Sequence, residues 1–385
     1  MTHLAVFMAD LGGGGAERMM VHLAAGLVER DVRVDIVLAR AEGPYLGEIP
    51  PNVRVVDLGR GSVSSAIPAL ARYLRHEGPD VLLATLRHVS LAAAIAHAVA
   101  RSGSLLFIRE ANTPSRLDVP LRNLKARGVG WAMRLVYARA TSVLAVSEGV
   151  AEDLIRTQGI PASKVVTVYN PVVTPDVAER SHLDPCHTWL SGDGPPVVLG
   201  VGSLQPRKDF TTLIEAFALV RKARRVRLII LGEGPLRGAL ESRVHELGLA
   251  DEVDLPGFAA NPFAFMSRAS VFVLSSVVEG LPGVLIQALA CGCPVVATDC
   301  PSGPHEILEG GRLGELVPTR DPLAMASAIE RTIDAPPNRA ALVHRSEAFA
   351  ADRVVAVHHA VFERHLAARR LASAATGAHG GPGHG

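Results

Sequence analysis

The sequence predicts an α/β protein made of two doubly wound, Rossmann-like units in series. Short runs of Val, Ile and Leu alternate with helical patterns over residues 4–146, and the same alternation restarts at Val197. A stretch of low periodicity that carries five prolines, 170–196, separates the two series. Apolar strands that alternate with helices are typical of parallel sheets covered on both faces.

The individual elements follow from these patterns. In the first series we expect a helix from about Ala16 to Glu29 and strands at Leu4–Met8, 32–37, 53–56, 81–84, 105–108 and 143–146. In the second we expect helices at Thr211–Lys222, Leu236–Leu247 and Val284–Ala290, and strands at Val197–Val201, Arg227–Leu231, near Val253, Val271–Leu274 and Val295–Thr298.

The predicted domains are 1–180 and 181–352. A helix over 353–370 is expected to pack back on the first domain. The final stretch, 371–385, is rich in Ala and Gly and has too few apolar side chains for a core, so we expect it to be disordered.

Composition excludes several classes of protein. The 385 residues carry 39 Lys and Arg against 38 Asp and Glu, a net charge of +1, which argues against nucleic acid as a partner. The N-terminus resembles a strand and not a signal peptide, and no apolar run is long enough to cross a bilayer. We therefore expect a cytoplasmic protein that can also work on the inner face of a membrane. The four cysteines, Cys186, Cys291, Cys293 and Cys300, have no zinc spacing and are expected to be reduced thiols.

A glycine-rich segment, 10–18, follows the first predicted strand and opens the first helix. Glycines at such a junction let backbone N–H groups approach an anion. A dinucleotide fingerprint is an alternative, but Glu17 or Arg18 stands where its third glycine belongs, and the nearest acid, Asp35, lies inside a strand. A tight turn without a ligand is the other alternative.

Two further strand-to-helix junctions carry charged residues. Arg207 and Lys208 lie just before a helix that begins near Asp209, a candidate N-cap, and two cations there favour a bound anion such as a diphosphate. The alternative is a solvated basic turn. In the segment 279–297, Glu279 precedes a helix whose first N–H groups, near Gly283 and Val284, offer a second anion site, although Glu279 also suits a simple helix start.

Together these segments resemble family 4 of the retaining glycosyltransferases. The resemblance covers nearly the whole chain and rests on 13–18, 146–151, Asn170-Pro171, the stretch 202–217 and the paired acidic motif of 279–296. It implies the GT-B fold, in which two Rossmann-like domains face each other across a cleft. The first domain would serve the acceptor and the second would bind a nucleotide sugar.

The resemblance also implies roles for single residues. Lys208 and Arg207 would hold the donor diphosphate, Gly14 and Gly15 would bring N–H groups to the phosphates or the sugar, and Glu279 would bind sugar hydroxyls. Gly257 and Phe258 resemble the turn that contacts the base. Two positions depart from the family pattern: Ser203 replaces a frequent Arg, and Gln287 replaces the second Glu, which would bind the ribose. We expect Gln287 to weaken ribose binding without loss of chemistry.

The implied reaction retains the anomeric configuration and uses no metal or other cofactor. Electrostatic stabilisation by Lys208 and Arg207 would supply most of the catalysis, and the chain contains no Asp-x-Asp motif. A UDP-sugar is the favoured donor, with a GDP-sugar second. The expected acceptor is a lipid-linked saccharide, a polysaccharide or a glycolipid. A dinucleotide-dependent oxidoreductase and a catalytically silent glycosyltransferase-like scaffold are the alternatives.

Acceptor contacts are expected from the first domain. Arg109, Glu110 and Asn112 follow the strand 105–108, where the resemblance places residues that touch the sugar or the acceptor; a surface turn is the alternative. The stretch 116–139 mixes basic and apolar residues with Trp131. It suits either docking on an anionic membrane or an ordinary covering helix.

Overall fold

The computed structural model describes residues 1–12, 14–117, 124–192 and 194–378, and the chain forms two compact units. The first unit contains residues 1–146, 151–171 and the chain from 351 onwards. The second unit contains residues 147–150 and 172–350.

Each unit is built on one parallel sheet. The first unit has strands β1 (His3–Met8), β2 (Arg33–Leu38), β3 (Arg54–Asp57), β4 (Val81–Thr85), β5 (Leu105–Glu110), β6 (Ser142–Ala145) and β7 (Val165–Thr167). The second has β8 (Val197–Val201), β9 (Arg227–Leu231), β10 (Val253–Gly257), β11 (Val271–Leu274), β12 (Val295–Thr298) and β13 (Glu315–Val317). The strand orders are β3-β2-β1-β4-β5-β6-β7 and β10-β9-β8-β11-β12-β13.

Fifteen α-helices accompany these strands in the described residues. They are α1 (Gly15–Val28), α2 (Val63–Glu77), α3 (Arg87–Ala100), α4 (Pro114–Leu117), α5 (Leu124–Arg139), α6 (Glu148–Gln158), α7 (Asp176–His182), α8 (Phe210–Ala223), α9 (Arg237–Glu246), α10 (Pro262–Met266), α11 (Gly283–Ala290), α12 (Pro304–Ile307), α13 (Pro322–Asp334), α14 (Arg339–Ser346) and α15 (Ala351–Ala378).

The fold class predicted from the sequence is confirmed. The strands β8, β9, β11 and β12 coincide with their predicted ranges, because each is a mainly apolar run that is almost completely buried. Both sheets reverse their strand order beside the first strand of the unit, between β1 and β4 and between β8 and β11. Open α/β sheets bind ligands in such crevices, beyond the carboxyl ends of the strands.

The unit boundaries differ from the predicted 180/181 and 352/353. The chain crosses at 171/172 and 350/351, and the N–H groups of Val172 and Val173 donate to the carbonyl of Phe349 at 3.2 and 3.1 Å. Residues 172–180 belong to the second unit, since Arg180 donates to the Ala260 carbonyl at 2.6 Å and its own carbonyl accepts from Asn261.

Two sequence predictions concern segments that the structure describes only in part. The predicted disorder of 371–385 is wrong for residues 371–378, which continue α15; Ala-rich sequence favours the helix there. Residues 379–385 lie outside the described part of the chain. The amphipathic stretch 116–139 comprises the end of α4 and all of α5, and 118–123 lie outside the description. No helix among the described residues has the length and apolar character needed to span a bilayer.

Candidate functional site

The candidate site lies in the second unit, in the loops that follow β8, β9, β10 and β11. These strands are neighbours in the sheet, in the order β10-β9-β8-β11, so their following loops meet at one edge. The loop after β8 carries Arg207 and Lys208, and the loop after β11 carries Glu279. The two loops therefore stand on either side of the reversal in strand order.

An ion pair joins these loops. The Lys208 ammonium donates to Glu279 Oε1 at 2.5 Å, and Ser276 Oγ donates to the same oxygen at 2.7 Å. Arg207 Nη1 lies 3.7 Å from Glu279 Oε2. Lys208 and Glu279 are only 9% and 7% exposed. Glu279 thus supplies one negative charge against two cations, so these three side chains keep an excess of positive charge.

This pairing sets the charge state of the carboxylate. Burial by itself raises the pKa of Glu279, but the Lys208 ammonium, the Arg207 guanidinium and the Ser276 hydroxyl outweigh it and hold the pKa below its usual range. Glu279 is therefore ionised at neutral pH. It can orient Lys208 and still accept hydrogen bonds from a ligand hydroxyl.

Backbone hydrogen bonds fix the position of the cations. Residues Pro206–Lys208 form a short 3₁₀ turn, and the carbonyls of Arg207 and Lys208 accept from Val277 N at 2.9 Å and from Ser275 Oγ at 2.7 Å. The loop after β11 thus holds the loop after β8 by its main chain. The positions of Arg207 and Lys208 do not depend on their side-chain contacts alone.

Asp209 begins helix α8 in a way that the sequence did not predict. It is the N-cap, but its φ is 48° and its side chain makes no hydrogen bond to the helix N–H groups. Its carboxylate accepts from Thr212 Oγ1 at 2.7 Å instead. The left-handed backbone at Asp209 is what turns the chain from the 3₁₀ segment into α8.

The loop after β9 is a part of the site that the sequence analysis missed. Gly232 has a φ of 143°, and a Cβ atom there would lie 1.9 Å from the Gly202 carbonyl oxygen. Its own N–H donates to the carbonyl of Gly257, while Leu204 N donates to the Glu233 carbonyl. A side chain at 232 would push apart the loops after β8 and β9. The signal was Gly-x-Gly directly after a predicted strand.

The N-terminal half of α11 forms the other side of the candidate site. Pro282 is the N-cap of α11, and the helix buries Leu285, Ile286, Ala288 and Leu289. Gly283, Val284 and Gln287 are half-buried, which places them on the side of α11 away from the core. The N–H site at Gly283 and Val284 stays a prediction, and Gln287 lies one turn further along.

The predicted base-contacting turn lines a small cavity. Gly257 ends β10 and Phe258 follows it, and both border a space of about 280 Å³ together with Leu231 and with Ala264 and Phe265 of α10. Phe258 is 80% exposed, although a large apolar side chain gains free energy by burial. Ser203 is half-buried in the loop after β8.

Of the three predicted acceptor residues in the first unit, two are buried and one is half-exposed. Strand β5 extends two residues beyond its predicted end, so Arg109 and Glu110 are 1% and 2% exposed. Arg109 donates to Thr85 Oγ1 at 3.1 Å and to Asn170 Oδ1. Glu110 accepts from the Tyr137 hydroxyl at 2.8 Å. Both side chains have internal partners, and their contact with the acceptor stays a prediction, as does that of the half-exposed Asn112.

Burial changes the ionisation of both side chains. Burial lowers the pKa of the Arg109 guanidinium to about 10, against the opposing effect of Glu110 and Glu17. It raises the pKa of Glu110 to about 7, although the Tyr137 hydroxyl, Arg87 and Arg109 act in the other direction. Glu110 thus titrates near neutral pH inside the first unit.

The glycine-rich segment leads into α1 as predicted, and Gly13 lies outside the described residues. Gly14 is the N-cap of α1 and makes no side-chain capping bond, and both Gly14 and Gly15 are exposed. A Cβ atom at Gly14 would lie 2.2 Å from Glu17 Oε2, whereas Gly15 has open space. The carboxylate of Glu17 thus folds back on the helix start, and phosphate contact by Gly14 and Gly15 stays a prediction.

Asp35, the acid that a dinucleotide site would need, has another role. It is completely buried within β2 and accepts from the Tyr73 hydroxyl at 2.5 Å, from Arg54 at 2.6 Å and from His3. Burial alone raises the pKa of Asp35, but these hydrogen bonds from His3, Arg54 and Tyr73 bring the pKa well below its usual range. A carboxylate so enclosed cannot reach a ribose.

Comparisons with known proteins agree with this architecture. The family described as Glycosyltransferase Family 4 matches residues 13–175, and the family described as Glycosyl transferases group 1 matches residues 195–335. A relative from Campylobacter jejuni is 29% identical over 87% of this chain and 91% of its own length. It is an N-acetylgalactosaminyltransferase that acts on a diphospho-undecaprenol-linked saccharide. The lipopolysaccharide core glycosyltransferase LpsE of Rhizobium meliloti is 27% identical over 83% of this chain and 86% of its own.

Solved structures show the same fold. A glycosyltransferase from Rickettsia africae superposes with a TM-score of 0.80 at 15% identity, over 95% of this chain and 98% of its own. HepE of Anabaena, in complex with UDP and glucose, gives 0.75 at 21% identity over 94% and 99%. The two family matches fall on the two Rossmann-like units, one on each. The chain therefore belongs to the family 4 (group 1) glycosyltransferases and has the GT-B fold.

Proposed function

We propose that this glycosyltransferase transfers a sugar, with retention, from a nucleoside-diphosphate donor that the second unit binds, and that the donor is a UDP-sugar. The observation that carries the proposal is the buried Lys208–Glu279 pair with Arg207 beside it, at the reversal of strand order. Two cations held by main-chain hydrogen bonds are preorganised for a diphosphate, and preorganised charge is the largest contribution to many enzymatic rates.

The proposed chemistry uses the residues of the site as follows. The bond between the anomeric carbon and the diphosphate oxygen breaks, and Lys208 and Arg207 stabilise the charge that develops on the leaving diphosphate. The acceptor hydroxyl attacks from the same face, and the leaving phosphate oxygen takes its proton. Glu279 orients Lys208 and accepts from hydroxyls of the transferred sugar. The cations supply the charge that a metal would otherwise supply, so the proposed reaction is metal-independent.

The proposed contacts to the base and the ribose also come from residues of the second unit. The cavity of about 280 Å³ beside Gly257 would take the base, with Phe258 against its face. Gln287 on the exposed side of α11 would accept from a ribose hydroxyl through its amide oxygen. The structure of HepE with UDP supports uridine as the base.

The proposed acceptor is a lipid-linked saccharide or a related glycolipid. The Campylobacter jejuni relative acts, by its name, on a diphospho-undecaprenol-linked saccharide, and LpsE acts in lipopolysaccharide core synthesis.

Helix α5 offers a surface for docking on an anionic membrane, since Trp131 is 66% exposed and stands beside Arg134 and the exposed Leu135. Sedimentation with vesicles that contain phosphatidylglycerol, compared for the wild type and Trp131→Ala, tests this docking.

Ligand-induced thermal stabilisation tests the donor. The purified protein is heated with UDP, GDP, ADP, NAD or FAD, beside the variants Lys208→Ala and Lys222→Ala. Lys222 is an exposed lysine at the end of α8 and serves as the matched control. We expect a rise in Tm with UDP that Lys222→Ala keeps and Lys208→Ala loses. A rise with NAD or FAD, or equal rises in both variants, would contradict the donor assignment.

Turnover separates an active enzyme from a silent scaffold. The comparisons give no support to an oxidoreductase or to a scaffold. Incubation with radiolabelled UDP-sugars and a lipid extract should yield a labelled lipid, and the yield should be unchanged in EDTA. An extract that stays unlabelled although UDP binds would favour the scaffold.

A further inference from the structure

Strand β12 ends in a buried threonine that contacts the loop after β11. Thr298 is the last residue of β12, follows three apolar residues and is completely buried. The sheet holds its main chain, because Thr298 pairs with Val317 of β13. A hydroxyl in such a place is unfavourable unless it finds a hydrogen-bond partner. No role for Thr298 was predicted from the sequence.

The Thr298 hydroxyl meets carbonyls beyond the end of the paired strands. The last paired residues of β11 and β12 are Leu274 and Ala297, so the chain after Leu274 has left the ladder. Thr298 Oγ1 donates to the Ser276 carbonyl at 2.5 Å and lies 3.3 Å from the Leu274 carbonyl. Buried carbonyls that leave a ladder need another donor. The hydroxyl therefore takes the place of a strand partner and fixes the main chain at Ser276.

Ser276 connects this main-chain contact to the ion pair of the candidate site. Ser276 is 1% exposed, and its hydroxyl donates to Glu279 Oε1, three residues further along the chain, at 2.7 Å. The Lys208 ammonium donates to the same oxygen at 2.5 Å. Because one carboxylate oxygen receives both donors, the Ser276 hydroxyl limits the directions from which Lys208 can approach it. A shift of the main chain at Ser276 would therefore move the ammonium as well.

The loop after β12 supports the loop that carries Glu279 at a second point. Gly303 has a φ of 93°, and a Cβ atom there would lie 2.5 Å from Pro282 Cδ and 3.0 Å from the Gly280 carbonyl oxygen. Gly280 follows Glu279 directly. The chain is thus supported by the end of β12 before Glu279 and by Gly303 after it.

We infer that Thr298 is a positioning residue for the cation that binds the donor diphosphate. Its hydroxyl holds Ser276, Ser276 orients the Glu279 carboxylate, and Glu279 orients the Lys208 ammonium. Thr298 is completely buried, so it acts through these residues and not by contact with the donor. A cation stabilises a developing charge best when its position is fixed in advance. The inference rests on the proposed function, in which Lys208 binds the diphosphate.

Titration calorimetry of the full-length protein with UDP tests the effect on binding. Thr298→Val keeps the shape of the side chain and suits a strand, but it removes the hydroxyl. Thr298→Val and Ser276→Ala should each weaken UDP binding about tenfold, and Thr298→Ser, which keeps the hydroxyl, should retain most of the affinity. The matched controls are Thr332→Val, at a buried threonine of α13, and Ser270→Ala, whose hydroxyl accepts from Val197 N just before β11. Neither control should change the affinity.

The double variant Ser276→Ala/Thr298→Val tests whether the two residues act in series. If Thr298 acts through the Ser276 hydroxyl, the double variant should bind UDP about as weakly as either single variant. Independent effects would multiply, and the affinity would fall about a hundredfold. A loss of that size would contradict the inference.

The Lys208 ammonium provides a second readout that needs no ligand. The chain contains four lysines, Lys125, Lys164, Lys208 and Lys222. Isotope-labelled lysine therefore gives a simple NMR spectrum, in which the Lys208 signal is the one that Lys208→Ala lacks. Protons that are buried and hydrogen-bonded exchange slowly with water. Thr298→Val and Ser276→Ala should speed the exchange of the Lys208 ammonium protons at least tenfold, and Thr298→Ser should not.

Lys164 is the internal reference for this exchange. Its ammonium donates to the carbonyls of Ala138 and Ala140 in the first unit, at 2.7 and 3.1 Å, and its exchange should be the same in every variant. Faster exchange at Lys164 and Lys208 alike in Thr298→Val would show a general loss of stability and contradict positioning.

Two further results would overturn the inference. Unchanged exchange at Lys208 in Thr298→Val would show that the hydroxyl does not hold the ammonium, whatever happens to UDP binding. Equal losses of UDP affinity in Thr298→Val and Thr332→Val would show that any buried hydroxyl has this effect. Failure of the donor assignment looks different: the wild type would not bind UDP, while Thr298→Val would still speed exchange at Lys208, and the positioning of Lys208 by Thr298 would stand.

Discussion

Charge balance around Glu279 explains the candidate site at the level of single residues. Two cations at the start of a helix are unfavourable on their own, and one buried carboxylate compensates one of the two charges. The pair is well aligned and tied to the main chain, so it keeps its geometry without a ligand. A buried ion pair of this kind contributes to specificity and function more surely than to stability.

Replacing the Glu279 carboxylate by a neutral amide tests whether this carboxylate compensates the charge of Lys208. Glu279→Gln keeps the shape but leaves the Lys208 ammonium buried without a counterion, and we expect a loss of about 3 kcal/mol in the free energy of unfolding. Donor binding should fall as well. The matched control is Glu246→Gln, an exposed member of the pair with Arg243, where the loss should stay below about 0.5 kcal/mol. Equal losses in chemical denaturation of the two variants would show that Glu279 has no special role.

The direction of the pKa shift of Glu279 determines how the effect of Glu279→Gln on stability depends on pH. The folded protein holds the pKa of Glu279 below its unfolded value, so the stabilisation is present above the unfolded pKa and is lost as the pH falls through the folded pKa. The difference between wild type and Glu279→Gln should therefore be constant between pH 6 and pH 8. A difference that changes over this range would contradict an ionised Glu279.

The contribution of Glu110 to stability should change with pH in the opposite direction. Burial raises its pKa from 4.5 to about 7, so the folded state binds the proton more tightly than the unfolded state, and stability is lost as the pH rises from about 4.5 to about 7. Glu110→Gln keeps an acceptor for Tyr137 and has no such loss. Its free energy of unfolding should match that of the wild type near pH 4 and exceed it at pH 8, by up to a few kcal/mol. A difference independent of pH would show that the arginines keep Glu110 ionised.

At the level of elements, the loop after β9 shows how main-chain contact shapes the site. Gly232→Ala adds a Cβ atom against the Gly202 carbonyl and strains a φ of 143°. We expect a loss of about 2 kcal/mol in stability and loss of UDP binding. Gly238→Ala is the control, because Gly238 lies in α9 with open space around it, and alanine there should stabilise the helix. Retention of UDP binding by Gly232→Ala, measured by calorimetry, would contradict the role of this loop.

Helix α15 completes the core of the first unit. Its Phe362 packs edge to face on Phe107 of β5 with ring centroids 5.0 Å apart, and its Arg369 pairs with Asp80 at 3.2 Å. Phe362→Ala should lower the stability of the first unit by about 3 kcal/mol, seen as faster hydrogen exchange in β5. Val357→Ala, at a 44% exposed position of the same helix, should leave that exchange unchanged. Equal exchange in both variants would show that α15 does not stabilise β5.

The sequence was informative where a pattern is local. Strands such as Val197–Val201 are continuous apolar runs between helical segments, and Arg207, Lys208 and Glu279 stand at junctions where charge is unusual. Local patterns do not reveal which distant residues meet. Hence the contact between Lys208 and Glu279, 71 positions apart, came only with the fold.

The sequence predictions that were wrong also depended on contacts between residues far apart in the chain. Arg109 and Glu110 looked like loop residues because charged side chains are seldom buried, yet Asn170 and Tyr137 supply partners from distant parts of the chain. The boundary at 171/172 depends on contacts of Val172 and Val173 with Phe349, and the residues around the boundary do not indicate these contacts.

At the scale of the whole molecule, two Rossmann-like units divide the proposed work between donor and acceptor. The second unit contains the cations, the glycine loops and the cavity beside Phe258, and the first contains the half-exposed Asn112 after β5. Both sites lie in loops or crevices beyond the carboxyl ends of parallel strands, where this architecture leaves residues free to vary without loss of the core.

Hydrogen exchange with and without UDP tests the central claim, that the loops of the second unit bind the donor diphosphate, most directly. We predict slower exchange in 202–209, in the loop 232–236 and in 275–287, and no change in these segments in Lys208→Ala. The start of α1 is followed in the same experiment, because Gly14 and Gly15 are predicted to bring N–H groups to the phosphates or the sugar. Protection confined to the first unit, or protection that Lys208→Ala retains in full, would contradict the claim.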